Sequence, residues 1–355
     1  MSKLYVFGIG GTGSRVLKSL TMLLAAGVDM KGYEVVPIII DPDKAAANLT
    51  QTVDLLRTYN EIRSKINFDN TTNNQFFSTK INLEINPKVI MPLENTDNVR
   101  FSEYIGLNEM KSATNGKSNF ALASMLFSQE NLDADMEVGF KGNPNIGSVV
   151  LNQLYAQMEN EQSLFSHVVS TLKDGDRIFV VSSIFGGTGA SGFPLLIKNM
   201  RKNNPKLSNC NVLRNAPIGA ISVLPYFGLQ QNAESNIDST SFISKAKAAL
   251  EYYQDNLKEV NALYYVADQI KSQYKNVEGG AGQKNKAHIV ELISALSIVD
   301  FVRLNIKDLG VTGGVPDRNI YKEFGIENDA TSVVFSDLAK QTNDIIRTPM
   351  SMFEL

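Results

Sequence analysis

Two glycine-dense stretches hold the residues whose types and spacing could do chemistry. The first is Gly8-Ile9-Gly10-Gly11-Thr12-Gly13-Ser14, directly behind the apolar run Leu4-Tyr5-Val6-Phe7. The second is Phe185-Gly186-Gly187-Thr188-Gly189-Ala190-Ser191-Gly192, behind the strand-like run 177–184. Glycine lets a backbone approach a phosphate closely and adopts positive φ without strain. N–H groups left free at a helix N-terminus then bind the anion, and Thr and Ser hydroxyls in such loops are further donors. The chemistry to expect is the holding of a phosphate chain.

The spacing Gly8-x-Gly10-x-x-Gly13 is a dinucleotide-binding fingerprint carrying an extra Gly11. Taken alone it also describes a tight strand–helix turn that binds nothing. The second loop is more specific, being denser in glycine than helix packing is expected to require. It lacks the lysine of a Walker loop, which disfavours P-loop kinases and ATPases. A simple dinucleotide fold has one such loop, so two suggest two walls around one phosphate chain.

Three further groups have both a functional and a plain reading. Asp41-Pro42-Asp43 is either an acidic pair near the phosphates or a strand-ending turn. Asn143-Pro144 is either a ligand-facing amide or a common turn pair. Asn285 is either a base-contacting amide or a helix N-cap. His288 reads as a satisfied, partly buried histidine rather than a catalytic one, and Cys210 has no visible activating partner.

These residues need elements to position them, and hydrophobic periodicity supplies most of them. Val16, Leu17, Leu20, Leu23 and Leu24 form one face of a helix behind the first loop. Residues 33–40 read as a continuous apolar strand with Pro37 inside, which suits a sheet covered on both faces. Residues 48–66 predict one or two helices, 67–79 a loop, and 80–140 give no clear element. A helix is expected over 151–172 and a strand over 177–184. Pro194 then falls in the first turn of the helix behind the second loop. Strands over 216–224 and 261–267, a helix over 242–253 and a long helix over 284–304 complete the pattern. Strands alternating with helices predict an α/β fold: a Rossmann-like, mainly parallel sheet with helices on both faces. The expected division is a nucleotide-binding unit over 1–283, a central helix over 284–305 and a short segment over 306–355.

Composition excludes several classes. Apolar residues make up 43% and charged residues 20% of the 355, ordinary for a globular chain with a substantial core. The 34 Lys+Arg against 37 Asp+Glu give no basic balance that would advertise nucleic acid. One cysteine and two histidines exclude an internal disulfide and the common multi-cysteine zinc sites. No apolar run reaches membrane-spanning length and the N-terminus lacks a signal-peptide pattern, so a cytoplasmic location is expected.

On the second loop above all, the chain resembles the tubulin/FtsZ superfamily, whose signature is a Gly-Gly-Gly-Thr-Gly-Ser-Gly type segment at a strand–helix junction. Here Phe185 replaces the first glycine and Ala190 precedes Ser191. The first glycine loop, Asp41-Pro42-Asp43, Lys141-Gly142-Asn143-Pro144, Pro225-Tyr226-Phe227 and Gln283-Lys284-Asn285-Lys286-Ala287 resemble further segments of that family, in its order. The likeness is nearest to the divergent bacterial tubulin-like proteins. It implies GTP or GDP as ligand with Mg²⁺. Gly10, Gly11, Thr12 and Gly13 would contact the α/β-phosphates, and Gly186, Gly187, Thr188 and Gly189 the β/γ-phosphates. Asn143 would lie near the γ-phosphate, Asp43 or Asp41 near Mg²⁺ through water, and Asn285 on the base.

In this family an acid after the central helix acts on the nucleotide of the next subunit. Asp308, Asp317, Glu323, Glu327 and Asp329 follow the helix here, and Asp308, nearest its end, is the catalytic candidate. The sequence departs from the family in length, because only a short segment follows the helix where a second domain is usual. The expected function is a tubulin/FtsZ-like GTP-binding protein, a GTPase that self-assembles with hydrolysis across the subunit interface. The alternatives are a non-polymerising nucleotide-binding switch or scaffold acting with a protein partner, and an ATP-using adenylating-type enzyme, whose ATP loop the first glycine stretch also resembles. No nucleic acid and no membrane insertion are expected.

Overall fold

A computed structural model describes residues 1–68, 76–114, 116–136, 139–140, 142–230, 241–270, 272–276, 280–282 and 285–324. Its framework is a six-stranded sheet of β1 (Lys3–Ile9), β2 (Glu34–Ile40), β3 (Arg177–Ser183), β4 (Ile218–Val223), β5 (Ala262–Val266) and β6 (Ile320–Phe324). The spatial order is β6-β5-β4-β3-β1-β2, and every neighbouring pair is parallel. The chain passes from β1 outward to β2, then returns to the other side of β1 to lay down β3 and β4. The order therefore reverses between β1 and β3. In open α/β sheets that reversal opens a crevice at the carboxyl ends of the strands.

Helices cover both faces, as the strand pleat shows. Phe7 of β1 and Val180 of β3 are partners in register, so Phe179 points to the opposite side. Phe7 packs on Phe165 of a helix over Leu164–Ser170, with ring centroids 6.1 Å apart. Phe179 packs on Phe301 of the long helix over Ile289–Arg303, at 5.5 Å. β1 and β3 are buried almost end to end, as expected for strands sandwiched between helices.

The helices used below are α1 (Gly10–Ala25), α2 (Ala47–Ser64), α3 (Pro144–Leu151), α4 (Gln153–Glu159), α5 (Leu164–Ser170), α6 (Gly187–Arg201), α7 (Phe242–Asn256) and α8 (Ile289–Arg303). The single helix expected up to residue 172 is three. Asn160 leaves helical geometry, its Oδ1 accepts from the Gln162 N–H, and the Ser163 hydroxyl caps α5 by accepting from the Ser166 N–H. Short polar side chains compete for backbone groups in this way and end helices.

Pro37 is accommodated because β2 is an edge of the main sheet. Val35 and Ile39 donate outward to Lys80 and Val89 carbonyls, and Pro37 occupies the outward position between them, where it has no N–H to leave unpaired. Residues 80–91, unassigned from sequence, thus lie along that edge. Short helices at Phe101–Tyr104, Leu107–Ser112, Lys117–Leu126 and Gln129–Leu132 follow.

After α8 the chain returns to the sheet. A 3-10 turn at Ile306–Leu309 leads into β6, which pairs with β5. The described part of the segment after the long helix thus holds a 3-10 turn, a small antiparallel hairpin of Val311–Thr312 with Val315–Pro316, and the parallel strand β6. Glu327 and Asp329 lie outside the described residues. Among the described residues no helix is long and apolar enough to cross a membrane.

Candidate functional site

Both glycine loops lie at the carboxyl ends of the strands flanking the sheet reversal, and they line one cleft. Gly10, Gly11, Thr12, Gly186, Gly187, Thr188 and Gly189 all face it, with Asp41, Asp43 and Asn285. Gly10 has φ +69°, a conformation that favours glycine. A Cβ built on it would stand 3.4 Å from the Thr188 Cβ, so the loops touch.

The glycines do two different jobs. A Cβ on Gly13 would lie 2.3 Å from the Gly8 carbonyl carbon, because the first turn of α1 packs backbone to backbone on the end of β1. Gly187 would meet the Asn143 nitrogen at 2.9 Å, Gly189 the Ser183 oxygen at 2.6 Å and Gly192 the Leu151 side chain at 2.9 Å. Packing alone therefore demands most of the second loop's glycines, contrary to the expectation from their density. Gly11 is different. Its Cβ would meet only Arg15 Nη1, at 3.5 Å, so the protein's own packing does not exclude a side chain there.

What the cleft offers an anion is backbone. Neither α1 nor α6 has a side-chain N-cap hydrogen bond or an acid in its first turn. Each leaves its first N–H groups without an intrahelical acceptor, and the dipole adds partial positive charge. Two of the four expected hydroxyl donors turn away: Ser14 Oγ donates to the Gly10 carbonyl and Ser191 Oγ to the Gly187 carbonyl, at 2.6 Å for the latter. Thr12 Oγ1 accepts from Arg15 Nη2 at 3.3 Å.

The acidic turn behind β2 closes one side. Asp41 Oδ1 accepts from the Asp43 N–H at 3.1 Å, and Asp43 Oδ2 accepts from the Gly280 N–H at 2.7 Å. These bonds make the segment a strand-ending turn and fix the two carboxylates at the cleft wall. Burial pushes the Asp41 pKa up to about 7, against the lowering effects of the Asp43 N–H and of Arg15. A hard divalent cation prefers oxygen ligands and keeps its waters; this pair fits an outer-shell role for Mg²⁺. Among the described residues no cluster of three or more His, Cys, Asp or Glu forms a metal cage.

Asn143 meets the second loop through its backbone. Its side chain caps α3, with Oδ1 accepting from the Asn145 N–H at 3.1 Å and Nδ2 donating to Asn131. Lys141 lies outside the described residues, as do Gln283 and Lys284. Asn285 precedes α8, whose N-cap is His288: Nδ1 accepts from the Val290 N–H at 3.2 Å. Cys210 is buried and its sulfur accepts from the Asn204 N–H.

Asp308 is not part of the cleft. It sits on the 3-10 turn after α8, by the amino ends of the strands, where Asn261 just before β5 donates to the Leu309 carbonyl at 3.1 Å. Its side chain is 49% exposed and 3.7 Å from Arg318. Asp317 accepts from the Thr312 hydroxyl at 2.8 Å and Glu323 lies on β6, so neither enters the cleft.

Sequence reasoning missed a buried polar network beneath the first loop. Arg15 Nε donates to Glu291 Oε1 at 2.7 Å, Arg15 Nη2 to Tyr226 Oη at 2.9 Å, and Tyr226 Oη to Glu291 Oε1 at 3.2 Å. Glu291 Oε2 also accepts from the His288 N–H at 3.3 Å, completing the capping box of α8. The network pins α1 to α8. Burial opposes the charge on Arg15, but Tyr226 and Glu291 outweigh it and raise its pKa above the ordinary value. Burial pushes the Tyr226 hydroxyl up to about 12. The signals available were an arginine two positions behind the glycine loop and a glutamate three positions after His288. Phe185, Phe227 and Phe242, with ring centroids 5.0–6.1 Å apart, form an aromatic wall of the cleft.

Beside the cleft a groove runs between α1 and the start of α8. Arg15 and Asn285 line both spaces. On the groove wall Asn48 Nδ2 is buried without a hydrogen-bond partner among the described residues.

The sequence matches no family model and no curated protein. In three dimensions the chain is similar to CetZ from Methanosaeta thermophila, at 16% identity and a TM-score of 0.40, covering 87% of this chain and 58% of that one. It is similar to an FtsZ mutant from M. jannaschii, at 14% identity and a TM-score of 0.35, covering 85% and 55%. CetZ2 from Haloferax volcanii, in a GTPgS-bound protofilament, matches at 11% identity and a TM-score of 0.39, covering 84% and 58%. The chain spans a little over half the length of each of these structures.

Proposed function

We propose that this chain is a tubulin/FtsZ-like nucleotide-binding protein that holds GTP and Mg²⁺ in the cleft and hydrolyses GTP when copies of it assemble. The observation that carries the binding reading is the convergence of two long helices with uncapped N-termini on one cleft, at the reversal point of a parallel sheet. The α1 N–H groups around Gly10–Gly11 take the α/β-phosphates and the α6 N–H groups around Gly187–Thr188 the β/γ-phosphates. Gly11, which nothing in the packing requires, leaves room for the phosphate. Asp43 and Asp41 hold the waters of Mg²⁺ from the wall of the cleft.

The groove beside the cleft takes the base. Asn285 borders both spaces, and the unpartnered Asn48 amide gives the groove wall a donor that a base acceptor would satisfy. GTP is favoured over ATP on the family resemblance of the loops in their order.

The position of Asp308 by the amino ends of the strands, opposite the cleft, supports hydrolysis in trans. An acid there cannot reach its own nucleotide, but stacking copies end to end would bring it to the open cleft of the next. Phosphoryl transfer depends mainly on positioning and charge stabilisation. Asp308 would orient the attacking water.

The test is GTP turnover per chain as a function of protein concentration, with Asp308→Ala as the companion variant. Turnover that rises with concentration and is lost in Asp308→Ala, with GTP affinity retained, is the expected result. Turnover independent of concentration contradicts hydrolysis in trans; unchanged turnover in the variant removes Asp308.

A further inference from the structure

A second cavity lies behind the second glycine loop, between α6, α7 and the start of α3. It has a volume of about 610 Å³ and shares no lining residue with the cleft. That volume falls within the range of small-molecule sites, about 300–1,000 Å³. It is larger than a bare ion needs.

Its lining is cationic. Lys198, Lys202 and Lys245 border it, and no carboxylate does among the described residues. Lys198 Nζ donates to Tyr252 Oη at 3.0 Å and to Asn256 Oδ1 at 2.9 Å, both neutral acceptors. Lys202 lies over the Tyr155 ring, 4.5 Å from its centroid. Neither of these two lysines has a carboxylate partner among the described residues. Ammonium groups gathered in one concavity repel one another, and an anion placed among them is held by charge-assisted hydrogen bonds.

A second observation points to the same occupant. Asn199, on the α6 wall of the cavity, is only 4% exposed, and its Nδ2 has no hydrogen-bond partner among the described residues. An orphaned buried amide is costly unless an acceptor meets it. The wall also carries an apolar strip of Pro194, Leu195, Ala248 and Ala249, with Ser148, Asn152 and Ser191 as further polar groups.

The geometry points to a binding site for a small organic anion, a carboxylate or phosphate ester with a planar apolar body. The anionic group lies among Lys198, Lys202 and the Asn199 amide, and the body lies against Pro194 and Ala249. This site is separate from the nucleotide cleft and does not depend on the reading given to that cleft.

The test is calorimetric titration of the full chain with benzoate, phenyl phosphate and neutral phenol. Millimolar binding of at least one anion, and none of phenol, is expected. A preference between the two anions tells carboxylate from phosphate ester. The Lys198→Gln/Lys202→Gln double variant should lose at least tenfold in affinity. Ala249→Phe, which fills the cavity without touching charge, should abolish binding, and because it leaves the cleft alone it separates this cavity from the cleft. Thermal melting of both variants checks that they fold. Neither anion binding the parent, or equal binding by parent and folded variants, or phenol binding as well as the anions, overturns the proposal.

Discussion

Gly10 and Thr188 lie against each other at the floor of the cleft. The Cβ that Gly10 lacks would stand 3.4 Å from the Thr188 Cβ, and Gly10 has φ +69°. Two loops far apart in sequence are thus one surface. The parallel pairing of β1 with β3 produces this, since it brings both strand ends, and both helix N-termini behind them, to the same edge. A turn made only for chain reversal would cap its helix; these two leave theirs open toward a common space.

Gly11→Ala separates binding from packing. The new methyl meets no protein atom closer than 3.5 Å, so the fold should be kept, and lower unfolded-state entropy should stabilise it by about 0.4–1 kcal/mol. Nucleotide affinity should fall at least about tenfold, roughly 1.4 kcal/mol. Gly13→Ala should do the reverse, costing about 1–3 kcal/mol or more of stability through the 2.3 Å clash with Gly8. Urea unfolding with nucleotide titration on each variant reads both effects. Retained affinity in Gly11→Ala would show that the glycine is not there for a ligand.

The Arg15–Glu291 pair predicts a non-additive cycle. Arg15→Met leaves Glu291 buried without its cation and should cost about 3–5 kcal/mol, as removal of one partner of a buried pair does. Arg15→Met with Glu291→Gln should recover a substantial part of that loss. Additive losses in chemical denaturation would mean the two side chains do not act as a pair.

Asp41 predicts a pH dependence of definite sign. Its folded pKa of about 7 lies above the model-compound value of 3.8, so the folded state holds a proton that the unfolded state has released. Stability from this group is fully present below the unfolded value and is lost as pH rises through about 7. Asp41→Asn should flatten that slope and exceed the parent in stability at pH values above the window, by up to about 4 kcal/mol. Unfolding free energies across the window check it; parallel curves for parent and variant would show that Asp41 is ionised throughout.

Much of this was legible before the fold. The alternation of apolar strands and amphipathic helices predicted the parallel sheet, and the presence of two glycine loops suggested two walls of one cleft. The rest depended on contacts that spacing does not encode. The glycine density of the second loop reads as ligand-directed, yet Gly187, Gly189 and Gly192 answer to Asn143, Ser183 and Leu151, neighbours visible only in space. The long helix begins later than its periodicity suggests because His288 caps it with its ring nitrogen, an unusual choice of cap. Residues 80–91 follow an edge strand through backbone bonds and carry no pattern of their own. Nothing in the spacing links Arg15 to its partners, because the Glu291 and Tyr226 that close over it are distant in sequence.

The most direct measurement of the central claim is the affinity of the purified, nucleotide-stripped chain for GTP and ATP in the presence of Mg²⁺. One site per chain is expected, tighter for GTP, weakened by Gly11→Ala and unaffected by Asp308→Ala. Tighter binding of ATP would contradict the assignment of the base, and no binding of either nucleotide would contradict the cleft as a phosphate site.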